Sequence, residues 1–469
     1  TAATRVDENG LVNYAEILGG EEIDNGGFVS VITPWTEVNI NTTFSPLLFT
    51  NTANNGNIRQ GFTTIVGESY KLSGNITSGA WTIFASTSTS TGGSLGSITV
   101  TGSLIFTATT TTTYILCYLV GASGTEGVIN NISVKEVTRD NVPRIDYTGG
   151  GCPHILAEPM RTNLVTYSED FSDSSWSKTG NVVVSSNTVV SPDGTLNGST
   201  ITGLNGAGSN DLRFTSSENP ASITYTSSVY LKGSGTLRLQ MSNNVDDAES
   251  TILTLTSSWV RYNLTHTFNS TSGTLALTLD DSGGTATTYD IWGAQLEVGS
   301  YATSYIPTSG STVTRNQDQF TRDGIGSLIN STEGVLFVEM AALSNDLTFR
   351  YVSLTDGTGS NCIRLYYTTT SNSITYQVRF GGSLEVLSTV SVSDITNFNK
   401  IAVKWKLNDF AIWIGGVEVA TDTSGLTPTG MNRLGFDSSG GGGALFGKVK
   451  QLQVYDTALT DDTLALLTS

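Results

Sequence analysis

Apolar and polar residues alternate in short runs along most of the chain, and Gly, Asn, Asp or Ser separate the runs. An alternation with a period of two places successive side chains on opposite faces of a β-strand. Short strands that recur every ~8–12 residues between turn residues are typical of sandwiches and barrels, so the pattern predicts an all-β protein. The strongest runs are Gly67–Ile76, Thr111–Leu119, Thr224–Leu231, Trp259–Phe268 and Lys400–Ile414.

One segment near the end of the chain has a helical pattern instead. Thr460 is a suitable N-cap, and Asp461 and Asp462 place negative charge in the first turn, where the helix dipole favours it. The sequence therefore predicts a short helix over Thr460–Leu467.

Changes in the pattern divide the chain into three large modules and two shorter pieces. The low-complexity stretch Ser86–Thr113 is interpreted as exposed loops that join strands, because apolar residues keep recurring in it. A segment that contains three prolines is interpreted as an extended connector. The predicted boundaries are 1–15 for an N-terminal strand and connector, 16–137 and 163–308 for the first two modules, 138–162 for the extended connector and 309–469 for the third module.

The first two modules look like distant repeats of each other. Each opens with an acidic loop that contains Phe and leads to Trp, at Glu22–Trp35 and Glu169–Trp176. Each closes with an alternating strand that ends near Glu-Val, at Val128–Val137 and Tyr289–Val298. Such a pair of ends predicts that the first and last strands lie side by side in a jelly roll.

The second module carries a set of motifs that together are specific. Arg161–Phe171, followed by Trp176, resembles the start of a module that is common in bacteriophage tail and virion structural proteins. The resemblance implies a jelly roll like that of carbohydrate-binding modules. The later motifs of the same family are Ser191–Thr195, Trp259–Tyr262, Ile291–Glu297 and Tyr301–Thr308.

The same family commonly carries a preceding pair of strands, which resemble Ala3–Val12 and Asn141–Tyr147. Ordinarily these two pieces are near neighbours in sequence, but here the first module separates them. We therefore expect the first module to be an insertion at a hairpin tip, a place that tolerates inserted domains.

The third module resembles the concanavalin A-like, laminin-G-like lectin sandwiches. The matching segments are Lys400–Trp405, Phe410–Gly416, Phe446–Asp456 and Ala458–Asp462. With the two jelly rolls, this resemblance predicts an all-β chain of three β-sandwich domains.

Charge and hydropathy exclude two classes of partner. The chain has 23 basic and 41 acidic residues, a formal net charge of −18, and no basic run. Such a surface repels phosphate, so we expect no nucleic-acid binding. No apolar run approaches the ~20 residues of a membrane span, so we expect no membrane insertion.

Cysteine usage favours assembly in a reducing compartment. Cys117, Cys152 and Cys362 are odd in number, far apart and without a C-x-x-C pair, which argues against a disulfide framework or a zinc site. Together with the resemblance, this predicts assembly in the cytoplasm of a bacterial host and a final location on the virion surface.

Catalytic motifs are missing, and we expect no enzymatic activity and no catalytic residues. His154 and His266 are interpreted as structural, and no serine lies in a nucleophile elbow. Glucanases that resemble the concanavalin A-like sandwich carry a strand with the pattern E-x-D-x-x-E. The fragment Glu22-Ile23-Asp24 lacks the second glutamate and lies in the first module, whereas the concanavalin A-like module is the third.

The resemblance to carbohydrate-binding modules implies a structural calcium between the opening loop and the final strand. The matching candidates are Glu169, Asp170 and Asp290, since calcium prefers several hard oxygen ligands. The alternative is that these acids cap solvated turns.

Sugar binding usually needs an exposed aromatic platform. Trp176, Trp259 and Trp292 occupy strand positions of the family and are assigned to the core. The remaining candidates for carbohydrate binding are Trp35, Trp81, Tyr366 and Tyr367, and the alternative for each is packing in the core or at its rim.

The function that these features favour is a virion appendage: a tail or capsid fibre, spike or decoration protein that presents glycan-binding modules to a host surface. The expected partners are host cell-surface glycans, other virion proteins and further copies of the chain, with a trimer as the expected form. Three alternatives stay open: a purely structural decoration protein, a polysaccharide depolymerase and a secreted bacterial adhesin.

Overall fold

The computed structural model describes residues 3–139, 142–206, 208, 210–220, 222–245 and 247–469. Asn141, at which the second part of the split motif begins, lies outside the described residues. The chain divides into two compact units. One, called the inserted unit, is Glu16–Val142. The other, called the main unit, combines the residues up to Ala15 with Pro143–Ser469.

The strands in chain order begin with β1 (Thr4–Val6), β2 (Val12–Tyr14), β3 (Ile17–Glu21), β4 (Thr36–Val38), β5 (Ile40–Phe44), β6 (Leu47–Asn51), β7 (Asn57–Thr63), β8 (Ser69–Ser78), β9 (Trp81–Ser86), β10 (Ser94–Ile98), β11 (Gly102–Thr107), β12 (Thr112–Leu119) and β13 (Glu126–Thr138). They continue with β14 (Ile145–Asp146), β15 (His154–Ala157), β16 (Arg161–Asn163), β17 (Trp176–Thr179), β18 (Val183–Val189), β19 (Gly198–Thr202), β20 (Asp211–Thr215), β21 (Thr224–Gly233), β22 (Thr236–Ser242), β23 (Ala248–Thr254), β24 (Val260–Thr267), β25 (Ala276–Asp280) and β26 (Thr288–Val298). The last are β27 (Val313–Arg315), β28 (Thr321–Arg322), β29 (Glu333–Ala342), β30 (Arg350–Thr355), β31 (Cys362–Tyr367), β32 (Ser373–Phe380), β33 (Ser383–Ser391), β34 (Asn399–Lys406), β35 (Phe410–Ile414), β36 (Val417–Asp422), β37 (Arg433–Gly435) and β38 (Gly447–Tyr455).

The described residues of the inserted unit form a β-sandwich. One sheet, called the cleft sheet, has the order β10-β9-β12-β7-β4, and the other has the order β11-β8-β13-β6-β5 with β3 paired to β13. The pairing of β3 with β13 joins the first and last strands, as the two ends of this module predicted. The stretch Ser86–Thr113, interpreted as exposed loops that join strands, contains the strands β10 and β11.

The main unit contains two further β-sandwiches. In the first, the sheet β17-β20-β25-β22-β23 packs on the sheet β18-β19-β26-β21-β24 around a core that includes Trp176 and Phe214. In the second, called the C-terminal sandwich, the sheet β14-β15-β38-β29-β34-β35-β36 packs on β28-β37-β30-β31-β32-β33. The all-β, three-sandwich fold that the sequence predicted is the fold of the described residues.

Two sequence expectations need correction here. The segment 138–162 is more than an extended connector, because β14 and β15 lie within it and β15 pairs with β38 of the C-terminal sandwich. The run Lys400–Ile414 is a hairpin, β34 and β35, because Asn408 adopts a positive φ of 58° at the turn between them. Asn is one of the few residues that adopt this conformation at low cost.

The two pieces of the split motif lie side by side in the main unit. β1 pairs with β2, and the Tyr147 N–H donates to the Val6 carbonyl over 3.0 Å. Val12 packs with Trp292 and Tyr305 in a small cluster of its own. An insertion between strands therefore leaves their pairing intact.

A buried ion network lies where the segments of the main unit meet. Glu158 accepts from Arg144 and from Arg315, each at 2.6 Å, and from the Ser304 N–H at 2.9 Å. Arg144 also pairs with Asp318. Burial opposes ionisation of Glu158, but the two guanidiniums lower its pKa to about 2. Buried charges with this many partners fix one arrangement of the backbone segments that carry them.

A short α-helix, α1 (Asp461–Thr468), ends the chain where the sequence predicted one. The Thr460 hydroxyl accepts from the Thr463 N–H, as an N-cap does. Leu464 packs on Phe337 and Trp413. Within the described residues, the structure has no helix with the length and hydropathy that a membrane span needs.

Candidate functional site

Trp35 and Trp81 are core residues, which corrects the prediction that they bind sugar. Their exposed fractions are 4% and 1%. Trp35 meets Phe28 edge-on, with ring centroids 5.3 Å apart, and Trp81 meets Phe49 in the same way at 5.3 Å. Neither indole presents a face to solvent, so neither can serve as a platform.

Tyr366 and Tyr367 lie on opposite faces of β31, as alternation requires. Tyr367 is buried in the core of the C-terminal sandwich, which excludes it as a sugar platform. Tyr366 lies on the outer face, but its ring is 8% exposed because it packs on Tyr351 with centroids 4.5 Å apart and on Phe349 at 6.0 Å. In this ring cluster Phe349 is exposed and Tyr351 partly exposed, whereas Tyr366 itself is buried.

The acids predicted to bind calcium do not form a joint site. Asp290 accepts from Thr200 and lies 3.6 Å from the Lys232 ammonium. Glu169 accepts from the Tyr305 hydroxyl, and Asp170 accepts from the N–H and hydroxyl two residues later in a turn. Among the described residues, no group of three or more His, Cys, Asp or Glu could hold a metal ion. The acids therefore have polar partners in separate places.

The tryptophans assigned to the core differ from one another. Trp176 is in the core of its sandwich, and Trp292 is buried outside that core against Val12. Trp259 is only partly buried, and its indole N–H donates to the Val190 carbonyl at 2.9 Å. Trp259 is therefore a partly buried residue that packs on the small cluster of Val12, Trp292 and Tyr305 rather than in a sandwich core.

An open cleft lies on the outer face of the cleft sheet. Along β7 and β12, Ile58 and Ile115 point into the core, so the alternate residues Arg59 and Tyr114 point outward. The cleft has a volume of about 390 Å³, within the usual range for ligand sites. Its lining residues are Asp24, Pro34, Thr36, Arg59, Gln60, Gly61, Thr89 and Tyr114.

The Tyr114 ring occupies the space that a side chain at Gly61 would need. The two residues are directly opposite each other on β12 and β7. A Cβ atom at position 61 would lie 2.8 Å from Cε1 of Tyr114, closer than real Cβ contacts come. Glycine therefore lets the ring lie flat across the neighbouring strand, where it remains partly exposed.

Hydrogen bonds from two side chains fix the backbone of the loop that carries Asp24. The Gln60 amide donates to the Asp24 carbonyl at 2.9 Å, and its oxygen accepts from the Asp24 N–H at 2.8 Å. The Trp35 indole N–H donates to the same carbonyl at 2.9 Å. Trp35 thus contributes to the site from the core, since it positions an exposed acid at the mouth of the cleft.

The cleft combines chemical groups that suit a sugar. Arg59 donates to the Thr89 carbonyl at 3.1 Å, and Arg59 and Tyr114 line the same cleft. Beyond the cleft, Phe84 and Tyr118 extend the same face, with their rings edge-to-face at 5.9 Å. An aromatic ring covers the apolar face of a sugar, and a guanidinium, an acid and hydroxyls bind its polar edge.

Sequence reasoning missed Tyr114 and Arg59. The signal was present in Thr112–Leu119, because Tyr114 and Tyr118 are four residues apart and share one face of the predicted strand. The sequence does not indicate which face of this strand is exposed to solvent, because both faces carry apolar residues.

No known protein family and no curated protein matches the chain. Similar solved structures include the enzymatically active domain of tailspike protein 4 of bacteriophage CBA120, with 12% identity over 29% of this chain and 21% of that chain and a TM-score of 0.25. They also include the N-terminal CBM22-1–CBM22-2 tandem domain of Xyn10C from Paenibacillus barcinonensis, with 10% identity over 61% and 98% of the two chains and a TM-score of 0.24. Domains LG4-5 of the mouse laminin alpha1 chain match with 11% identity over 56% and 93% and a TM-score of 0.20. The chain spans about a fifth of the length of the tailspike domain that it matches.

Proposed function

We propose that this chain is a glycan-binding attachment protein of a bacteriophage particle, displayed as a tail or capsid fibre, spike or decoration. The observation that carries glycan binding is the open cleft at Tyr114, which is lined by a partly exposed tyrosine ring and by the hydrogen-bonded guanidinium of Arg59. The proposal includes no catalysis: the chain holds a host glycan and does not cleave it.

The shape of the cleft favours a saccharide over a small apolar ligand. It is open along the sheet, and Phe84 and Tyr118 continue the face beyond Tyr114, so a chain of sugar rings can lie across several strands. A single site of this kind binds weakly. Many copies on one particle supply avidity, which is why we place the chain on a virion as an oligomer.

The virion assignment has separate support in the sequence. The motifs from Arg161 to Thr308 resemble a module of phage tail and virion proteins, and only 14% of residues are charged. A surface rich in Ser, Thr and Asn is common on extracellular β-proteins.

The experiment is a glycan array and a host-cell binding assay with the full chain, Tyr114→Ala and the control Tyr147→Ala. Tyr147 is a partly exposed tyrosine that belongs to the main unit and not to the inserted unit. We expect Tyr114→Ala to weaken glycan binding about thirtyfold, which corresponds to ~2 kcal/mol, and the control to bind normally.

The other outcomes separate the alternatives. If the folded wild-type chain binds no glycan, the chain is a structural decoration protein. If it releases reducing ends from host polysaccharide, it is a depolymerase and the non-catalytic proposal fails. If it binds glycan but Tyr114→Ala binds equally well, the cleft is not the site.

A further inference from the structure

The C-terminal sandwich carries a local excess of positive charge within a strongly acidic chain. Arg364 on β31, Arg379 on β32 and Arg433 on β37 lie on the outer face of one sheet, which we call the arginine face. The whole chain has 23 basic residues against 41 acidic ones. Arg433 is paired with Asp437 and Asp323, so the positive charge of this face comes from Arg364 and Arg379.

The register of the sheet brings two of the arginines together. Ile363, Leu365 and Val378 point into the core, so Arg364 and Arg379 point outward. Cys362 is directly opposite Arg379, and Arg364 is two residues further along β31. The two arginines are diagonal neighbours, a relation in which Cα atoms are about 7–8 Å apart and long side chains reach a common ligand.

These two arginines have only uncharged partners among the described residues. Arg364 donates to the Gln377 side chain at 3.1 Å, to the Ser438 carbonyl at 2.7 Å and to the Ser439 hydroxyl at 3.1 Å. Arg379 donates only to the Gly382 carbonyl, at 3.5 Å. Arg433, by contrast, is neutralised by Asp437 at 2.9 Å.

The arginine side chains are accessible to solvent, and the strands that carry them are part of a regular sheet. Arg364, Gln377 and Arg379 are all partly exposed, whereas Thr375, two residues before Gln377 on the same face of β32, is 2% exposed. The backbone is part of a continuous ladder from β30 to β33, so the guanidiniums project from rigid strands. Rigid placement reduces the entropy lost on binding.

We propose that the arginine face binds an anionic polysaccharide, with its carboxylate or phosphate groups on Arg364 and Arg379. A guanidinium presents two parallel donors that match the two oxygens of such a group. Because the rest of the protein surface is acidic, it repels an anionic polymer. An anionic polymer can therefore bind this chain only at a local basic face. The site is separate from the Tyr114 cleft and does not depend on it.

The test measures binding of the full chain to polygalacturonate, poly(glycerol phosphate), dextran and duplex DNA by titration calorimetry. The variants are Arg364→Gln and Arg379→Gln, with Arg213→Gln as the control. Arg213 is a partly exposed arginine of another sheet that donates to Asn244 at 3.1 Å. Arg379→Gln covers the case in which Arg364→Gln disturbs the Ser438–Ser439 loop, because Arg379 has no bond to that loop among the described residues.

We expect each of the two variants to bind the anionic polysaccharide about tenfold more weakly than the wild type, and the control to bind normally. Polygalacturonate binding alone assigns the face to carboxylates, and poly(glycerol phosphate) binding alone assigns it to phosphates. Four results would overturn the proposal: no binding of either polymer, dextran binding of equal strength, an equal loss in Arg213→Gln, or tighter binding of DNA. Tyr114→Ala is expected to leave this binding unchanged, so failure here and failure of the cleft are distinguishable.

Discussion

In the cleft sheet of the inserted unit and in the sheet that carries the arginine face, a glycine lies close to an outward tyrosine ring, and the consequences for the ring differ. Both sheets are regular and antiparallel, and the outer face of each carries tyrosines at alternate positions. On the cleft sheet, Gly61 leaves room for the Tyr114 ring to lie partly exposed. On the other sheet, Tyr351 packs on Tyr366, and Gly443 comes so close that a Cβ there would lie 2.5 Å from the Tyr351 ring. Gly61 leaves room for the Tyr114 ring across the strand, whereas Gly443 brings backbone against a Tyr351 ring that also packs on Tyr366.

The two faces also differ in charge. Arg59 lines its cleft together with the exposed acid Asp24, whereas the partners of Arg364 and Arg379 among the described residues are all uncharged. An aromatic ring beside mixed charge suits a neutral sugar, and paired guanidiniums suit an anionic one. The comparison therefore predicts two separable binding activities in one chain.

The largest expected effect tests whether the two faces belong to separately stable units. Among the described residues, Glu158→Gln leaves Arg315 buried without a paired acid and leaves Arg144 with Asp318 alone, so we expect the main unit to lose about 3–5 kcal/mol of unfolding free energy. The matched change in the inserted unit is Glu16→Gln, which removes a more exposed acid from Lys71 and Arg139 and costs about 1 kcal/mol.

Calorimetry of the two variants checks this prediction. The main-unit transition should move in Glu158→Gln and the inserted-unit transition in Glu16→Gln. A single transition that shifts in both variants would show that the two units unfold together, and the comparison would then concern one cooperative body.

A smaller effect on glycan binding is expected from Gly61→Ala, which tests whether the position of the Tyr114 ring matters. The added methyl group would lie 2.8 Å from the Tyr114 ring, so the ring must leave its place over β7. We expect neutral-glycan binding to weaken about tenfold, with binding of anionic polymer unchanged. Gly20→Ala is the control in the same unit, because a Cβ there meets no atom within 4 Å. Normal glycan binding by Gly61→Ala would mean that the ring position does not matter.

The smallest effect concerns pH. Both histidines of the chain, His154 and His266, lie in the main unit. Burial lowers the pKa of His154; Asp146 opposes this shift, and Lys448 and Lys450 add to it. The unfolded chain then takes up the proton first, so stability is complete above pH ~6.5 and is lost as the pH falls below that value.

Melting curves at several pH values check the sign. Between pH ~7.5 and ~5.5 we expect the main-unit transition to fall by about 2 °C more than the inserted-unit transition. His154→Gln should remove most of that difference. An equal fall in both units, or a rise in the main unit, would contradict the assignment to His154.

The candidate site shows which features the local sequence pattern predicts and which it does not. The strand over Thr111–Leu119 was predicted within one residue of β12, and the helix cap at Thr460 was predicted correctly. The sequence instead predicts sugar platforms at Trp35, Trp81, Tyr366 and Tyr367, and the structure buries both tryptophans. Their burial follows from Phe28 and Phe49, which pack against them across loops and sheets.

By itself, the sequence determined the all-β class, most strands and the capped helix, because alternation, turn residues and caps act within a few positions along the chain. The tertiary structure alone decided which outward side chains are free to bind. That choice depends on distant partners: Gly61 beneath Tyr114, Gln60 and Trp35 beneath Asp24, and Gly443 against Tyr351. Exposure is a property of the neighbours of a residue in space, and alternation along a strand does not encode those neighbours.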